Sequence, residues 1–200
     1  MIVGDPKSFA IESVVTEAYE YPGLMALGYF VIHISGRVFG LKKLEATMLA
    51  CSFDEVGRRI GERGSHNPPF PFDSNAGKIA NAFIRAGYEP THEDSEQFFE
   101  IAAPQFRNAI ISKRLEWAPD GDAAFDDGSS VLQLEELEKV RLIAYVSTPD
   151  YVYDPESLRD VWLPSDDFYA ILQKWRDRFE AEWRASPKVP NSRMVFKAHD

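Results

Sequence analysis

The feature that most constrains this chain is the run Leu27-Gly28-Tyr29-Phe30-Val31-Ile32-His33-Ile34, in which both alternating sets of side chains are largely apolar. A strand points successive side chains to opposite faces, so a run without a polar face must be covered on both sides. It predicts a central strand with a packing layer above and below. Ser35-Gly36 and then Arg37-Val38-Phe39 follow, and glycine supplies the positive φ that a two-residue reversal needs. Phe9, Ile11 and Val15 approach alternation as well, which extends the expectation to an antiparallel meander.

After Leu49 the apolar period lengthens. Phe53, Val56 and Ile60 stand three and four apart with Asp54-Glu55 in the expected first turn, predicting a short helix that ends at Gly61 or Gly64. Asn67-Pro68-Pro69-Phe70-Pro71-Phe72 reads as a loop, because its prolines lack donors and bias their predecessors to extended geometry. Asp73 or Ser74 is the expected cap of a second helix through Ile79, Ala80, Phe83 and Ile84, with Gly87 as its left-handed end. Phe106 to Trp117 and Val131 to Leu134 are expected to pair across the Asp/Gly-rich stretch 119–130. Lys139 to Ser147 alternates as a strand. The firmest helix begins after Pro164-Ser165-Asp166-Asp167, where Phe168, Ile171, Leu172, Trp175, Phe179 and Trp183 form one stripe. Burying that stripe contributes on the order of 10 kcal/mol before entropy is set against it.

These elements predict an α+β protein: a mainly antiparallel sheet of about five or six strands, packed by three or four helices that include a long C-terminal amphipathic one. No repeat or long linker divides the chain, so residues 1–186 are expected to form one domain and residues 187–200 a polar, mobile tail.

Charge narrows the partners. The 200 residues carry 32 Asp and Glu against 22 Lys and Arg, a net charge of −10. The excess lies beyond Tyr88, at Glu93, Asp94, Glu96 and Glu100, at Asp120, Asp122, Asp126 and Asp127, and at Glu135, Glu136 and Glu138. An acidic field repels phosphates, so nucleic acid is not expected as a partner, whereas it speeds association with a basic protein by roughly 10 to 1000-fold at low salt. No run approaches the roughly 18 apolar residues needed to span a bilayer, and no signal peptide opens the chain, so a cytoplasmic protein is expected. A lone cysteine, Cys51, agrees with a reducing compartment and is expected to be a small buried apolar residue.

A search for chemistry finds little. None of His33, His66, His92 and His199 stands at a metal-ligand spacing, and His33 reads as a satisfied core histidine. His92-Glu93-Asp94 is consecutive in a loop and is not expected to converge on one ion. Asp120-Gly121-Asp122 starts like a calcium loop, but Ala124 and Phe125 occupy positions that need a ligand and a glycine. No G-x-S-x-G elbow or phosphate loop occurs. Neither catalytic residues, cofactor nor metal are therefore expected. The alternatives are a small metal-dependent hydrolase with a dispersed carboxylate site and an acidic scaffold or regulatory subunit.

The opening Met1-Ile2-Val3-Gly4-Asp5-Pro6-Lys7-Ser8-Phe9-Ala10-Ile11-Glu12, with its core G-D-P-x-x-F-A-I, resembles the start of the immunity protein 42 family of bacterial polymorphic-toxin systems. The similarity continues through the Gly28 to Phe39 strand pair, the Val140 to Val146 strand and the helix after Leu163-Pro164. The acidic 119–130 loop departs from it. The resemblance implies a cytoplasmic α+β protein, made beside a secreted or contact-delivered toxin, that binds and neutralises the cognate toxin's C-terminal domain without catalysis. Gly4, Asp5, Pro6, Phe9 and Ile11 take structural roles. The partner is expected to be basic, such as a nuclease, and its contacts are expected at Glu93, Asp94, Glu96, Asp120, Asp122, Asp126 and Asp127.

Overall fold

A computed structural model of the chain describes residues 1–88, 96–117 and 123–189. Strand β1 (Ile2–Gly4) turns at Asp5-Pro6 into β2 (Phe9–Tyr19), and the Asp5 N–H donates to Phe9 O across the turn at 3.0 Å. β2 pairs antiparallel with β3 (Ala26–Ile34), the apolar run, which is buried almost throughout. Gly28 is required there, since a Cβ would fall 1.8 Å from Val14 O on the neighbouring strand. Ser35 and Gly36 make the expected reversal, both at positive φ (49° and 80°), into β4 (Arg37–Phe39).

Strand β5 (Thr47–Met48) pairs with β3 and leads directly into helix α1 (Leu49–Gly61). The helix starts a turn before Phe53, so Asp54 and Glu55 lie in its second turn. Its buried stripe is Leu49, Ala50, Ser52, Glu55, Val56 and Arg59, and this turns Cys51 outward. Cys51 is exposed and not the core residue expected of it. Helix α2 (Ala76–Gly87) is capped by Asn75, whose side chain accepts from the Lys78 N–H at 3.0 Å, in place of Asp73 or Ser74. Gly87 is its last helical residue and Tyr88, at φ −124°, ends it.

The short pair β6 (Gln97–Phe98) and β7 (Ile101–Ala102) precedes helix α3 (Ala103–Ser112). Here the expected strand from Phe106 is corrected. Phe106 and Ile110 are one helical turn apart and bury the same face, with Pro104 pre-organised for the first turn. Only Leu115 to Trp117 run beside β8 (Ser129–Glu136): Gln133 N–H donates to Leu115 O at 2.8 Å and Trp117 N–H to Val131 O at 2.7 Å. β8 forms a hairpin with β9 (Lys139–Val146), and β10 (Arg159–Pro164) completes a three-stranded antiparallel sheet in the order β10-β9-β8. Helix α4 (Ser165–Ala185) follows without a break, with Asp166 and Asp167 favourably placed at its positive end. β11 (Lys188–Val189) then pairs in parallel with β2, giving a main sheet of six strands.

Alternation along β8 and β9 divides the interior. Val131, Val140, Leu142 and Ala144 face a core shared with the main sheet and with Phe168, Leu172, Trp175 and Phe179 of α4. Leu132, Leu134, Ile143 and Tyr145 face a second core with Phe70, Ile79, Phe83 and Phe106 under α2 and α3. In the first core Phe9 meets Phe168 at 5.0 Å and Phe30 meets Trp175 edge-on at 5.1 Å.

One side chain ties these layers together. Arg59 of α1 is fully buried; its Nε donates to Glu55 Oε1 at 2.8 Å, its Nη1 to Gln133 Oε1 at 3.0 Å and its Nη2 to Glu116 O at 2.6 Å, while its guanidinium stacks 4.5 Å from the Trp117 ring. Removing one member of such a buried network leaves the other charge and several carbonyls unpaired, at about 3–5 kcal/mol. Arg59→Ala is expected to lose that much in urea unfolding, whereas Arg58→Ala, on the exposed side of the same helix, is expected to lose less than about 1 kcal/mol.

Candidate functional site

Two clusters have the residue types of acid/base chemistry. On the face of the main sheet turned away from α4, buried Glu12 accepts from Tyr29 Oη at 2.7 Å, lies 2.8 Å from His33 Nε2, and pairs with Lys42 Nζ at 2.8 Å. Burial pushes the Glu12 carboxyl up, but the hydrogen bonds from Lys42, Tyr29 and His33 outweigh it and hold the group down at about 2. Burial and the bond to Glu12 push the Tyr29 hydroxyl up to about 12. The second cluster sits below Arg59. Glu135 of β8 accepts from the Gly64 N–H at 2.7 Å and from Tyr169 Oη, and lies 3.2 Å from His66 Nδ1. Burial opposes ionisation of Glu135, but the bonds from His66 and Tyr169 carry its carboxyl below the ordinary range.

The second cluster is closed, and in the first Glu12, Tyr29 and His33 are buried while Lys42 is half-exposed at its edge. His66, Gln133, Glu135 and Tyr169 are buried, at 5 % exposure or less. A base must come within hydrogen-bond reach of a substrate, so these carboxylates hold elements together. Among the described residues no group of three or more His, Cys, Asp or Glu could hold a metal ion, and no helix is long and apolar enough to cross a membrane.

The surface offers a cleft of about 380 Å³ at the open end of the β8–β9 hairpin, between the end of α2 and the loop after β9. Exposed Tyr88 and Tyr151 stand on its rim, and Glu116 in its wall accepts from Tyr88 Oη at 3.0 Å. A neighbouring groove of about 340 Å³ shares Tyr88 and Glu116 and adds Ile111, which is 67 % exposed, with Arg107 and Arg114.

Of the seven acids read as partner contacts, Asp126 lines the cleft and is exposed, and Asp127 beside it accepts from the Ser129 N–H at 3.0 Å, which closes the turn into β8. Glu96 is partly buried and paired with Arg85 at 2.6 Å. Glu93, Asp94, Asp120 and Asp122 lie outside the described residues. The described residues that precede their two segments, Tyr88 and Trp117, line the same cleft as Asp126. Sequence reading missed the exposed apolar groups Tyr88, Ile111, Tyr151, Leu137 and Trp162. No sequence signal marks them, because an apolar residue at a strand or helix end has the same letter whether it is covered or bare.

The fold is shared with a solved structure of CdiI from Burkholderia dolosa AUO158, at a TM-score of 0.58 and 15 % identity over 89 % of this chain and 99 % of that chain. No curated protein matches the chain. Residues 1–178 match the family described as Immunity protein 42, and the chain belongs to that family. It is accordingly an immunity protein, which neutralises a cognate toxin and is not an enzyme. The metal-dependent hydrolase alternative falls with that assignment.

The buried carboxylates predict an acid limit to stability. Glu12 has a folded value of about 2 against an ordinary 4.5. A carboxyl depressed in the folded state contributes stability that is complete above its unfolded value and is lost as pH falls through the folded one. Urea midpoints followed downward from neutral pH are expected to drop between about 4.5 and about 2. Glu12→Gln is expected to start lower and to flatten that drop.

Proposed function

We propose that the cognate toxin is a basic C-terminal domain, such as a nuclease, met in the cytoplasm of a bacterium that carries a contact-dependent or other polymorphic toxin system. The observation that carries this reading is the charge, 32 acidic against 22 basic residues in a family of toxin inhibitors. The buried carboxylates Glu12 and Glu55 are paired with cations inside the fold and Glu135 accepts hydrogen bonds there, whereas Asp73, Asp126, Glu136 and Glu138 are exposed. An acidic surface steers a basic domain into contact and rejects phosphates and like-charged proteins. Glu93, Asp94, Glu96, Asp120, Asp122, Asp126 and Asp127 form the acidic side of this interface, Glu96 contributing least because it is already paired with Arg85, and the aromatics at the cleft rim supply its apolar contacts.

Co-expression with the toxin domain encoded beside this chain, scored by growth and by co-purification, tests the reading. Rescue is expected, with a complex whose association slows as salt rises. Replacing Asp120, Asp122, Asp126 and Asp127 by Asn is expected to slow association roughly tenfold at low salt, with thermal unfolding nearly unchanged. Association that is insensitive both to salt and to these changes would remove the acidic loop from the interface.

A further inference from the structure

We propose that the closed end of the β8–β9 hairpin is a second docking surface, which takes an apolar side chain carried on a basic element of the toxin. The proposal rests on the reading that the partner is a basic toxin domain. Its starting point is Leu137, at the tip of the hairpin. Leu137 has φ 56° and is 95 % exposed. A side chain in the left-handed region crowds its Cβ against the following carbonyl oxygen, and full exposure returns no burial to offset that strain. Glycine or asparagine would serve the turn better and a polar residue would serve solubility better. Folding therefore does not account for a leucine here, and a strained, unrewarded residue points to a contact made outside the chain.

A second apolar group stands beside it. Trp162 of β10 is 42 % exposed and lines the same groove of about 780 Å³ as Leu137. It is held rigidly: the Phe72 ring meets it edge-on at 4.8 Å and the Arg141 guanidinium stacks on it at 4.8 Å. Arg141 is itself fixed by Asp160 at 2.9 and 2.8 Å and by the carbonyls of Phe72 and Ser74 at 2.6 and 2.7 Å. An exposed tryptophan that is already ordered loses little side-chain entropy on binding, which suits it to anchor an interface.

Charge selects the occupant. Asp73, Glu136 and Glu138 line the groove against the single cation Lys139, and all four are exposed. None of the three carboxylates is in an ion pair among the described residues. A second copy of a chain with net charge −10 is repelled by this rim, and a basic partner is attracted. The groove and the Tyr88–Tyr151 cleft lie at opposite ends of a hairpin of eight-residue strands, on the order of 25 Å apart. One interface of standard size, about 1600 Å² in total, spans that distance.

The test uses the full chain and the toxin domain encoded beside it, with affinity measured by calorimetry. Leu137→Gly is expected to keep or raise the thermal midpoint, because glycine relieves the backbone, and to weaken binding at least tenfold. Leu137→Met, which keeps an apolar side chain, is expected to retain most of the affinity, and Trp162→Ala to lose at least as much as Leu137→Gly. Wild-type binding with both Leu137→Gly and Trp162→Ala within twofold of it would overturn the second surface and leave the toxin reading standing. A self-associating chain that Leu137→Gly makes monomeric, with toxin affinity unchanged, would overturn it in favour of a second copy. Failure of the wild-type chain to bind the toxin domain at all would overturn both readings.

Discussion

The burial of one guanidinium, that of Arg59, is the constraint on which the rest of the architecture depends. A charge taken out of water is tolerable only where its donors find acceptors and a counter-charge stands close by. Arg59 meets both needs by drawing on three separate pieces of chain: Glu55 one turn earlier on α1, the carbonyl of Glu116, and Gln133 on β8. Satisfying it fixes where α1 lies against the second sheet. It also fixes the segment before β8, since Trp117 covers the guanidinium face. Gln133 carries the network onward to Tyr169 of α4 at 3.0 Å, so a helix, a strand and the terminal helix are registered by one set of polar contacts inside an otherwise apolar layer.

That arrangement separates two populations of acid in a strongly acidic chain. Glu12, Glu55 and Glu135 are occupied by cations or hydrogen-bond donors within the fold. Their carboxylates are satisfied inside the fold and are hidden from a partner. Asp73, Asp126, Glu136 and Glu138 remain at the surface, and with them the field that an approaching protein meets. For an inhibitor that must accept one toxin and refuse others, this division is useful. Interior charges specify the register of the scaffold, while exterior ones can vary with the partner at small cost to stability.

Legibility followed the same line. The central strand, its Ser35-Gly36 reversal, the β9 alternation and the α4 stripe could be read because each depends on the period of apolar residues along a single segment. Residues 106–112 do not declare a helix by pattern, because with only Phe106, Ala109, Ile110 and Ile111 apolar the segment is too short for its period to separate a helix face from a strand. The cap at Asn75 shifted by a residue or two for a similar reason: several capping side chains occur together, and only the fold selects one. Of the candidate acids, Asp126 reaches the cleft, Asp127 closes a turn and Glu96 is held by Arg85.

By itself the sequence determined the class of the fold, the lack of any catalytic signature and, through its opening motif, the family. Each of these is written in local pattern, composition or a contiguous string of residues. Only the tertiary structure decided that β8 and β9 divide two cores, that His66, Glu135 and Tyr169 converge in a closed interior, and that Leu137 and Trp162 share one exposed groove. Such facts depend on pairs of residues distant in the chain, brought together by the burial of everything between them. Burial of a side chain is a property of its surroundings, and no single position in the sequence encodes it.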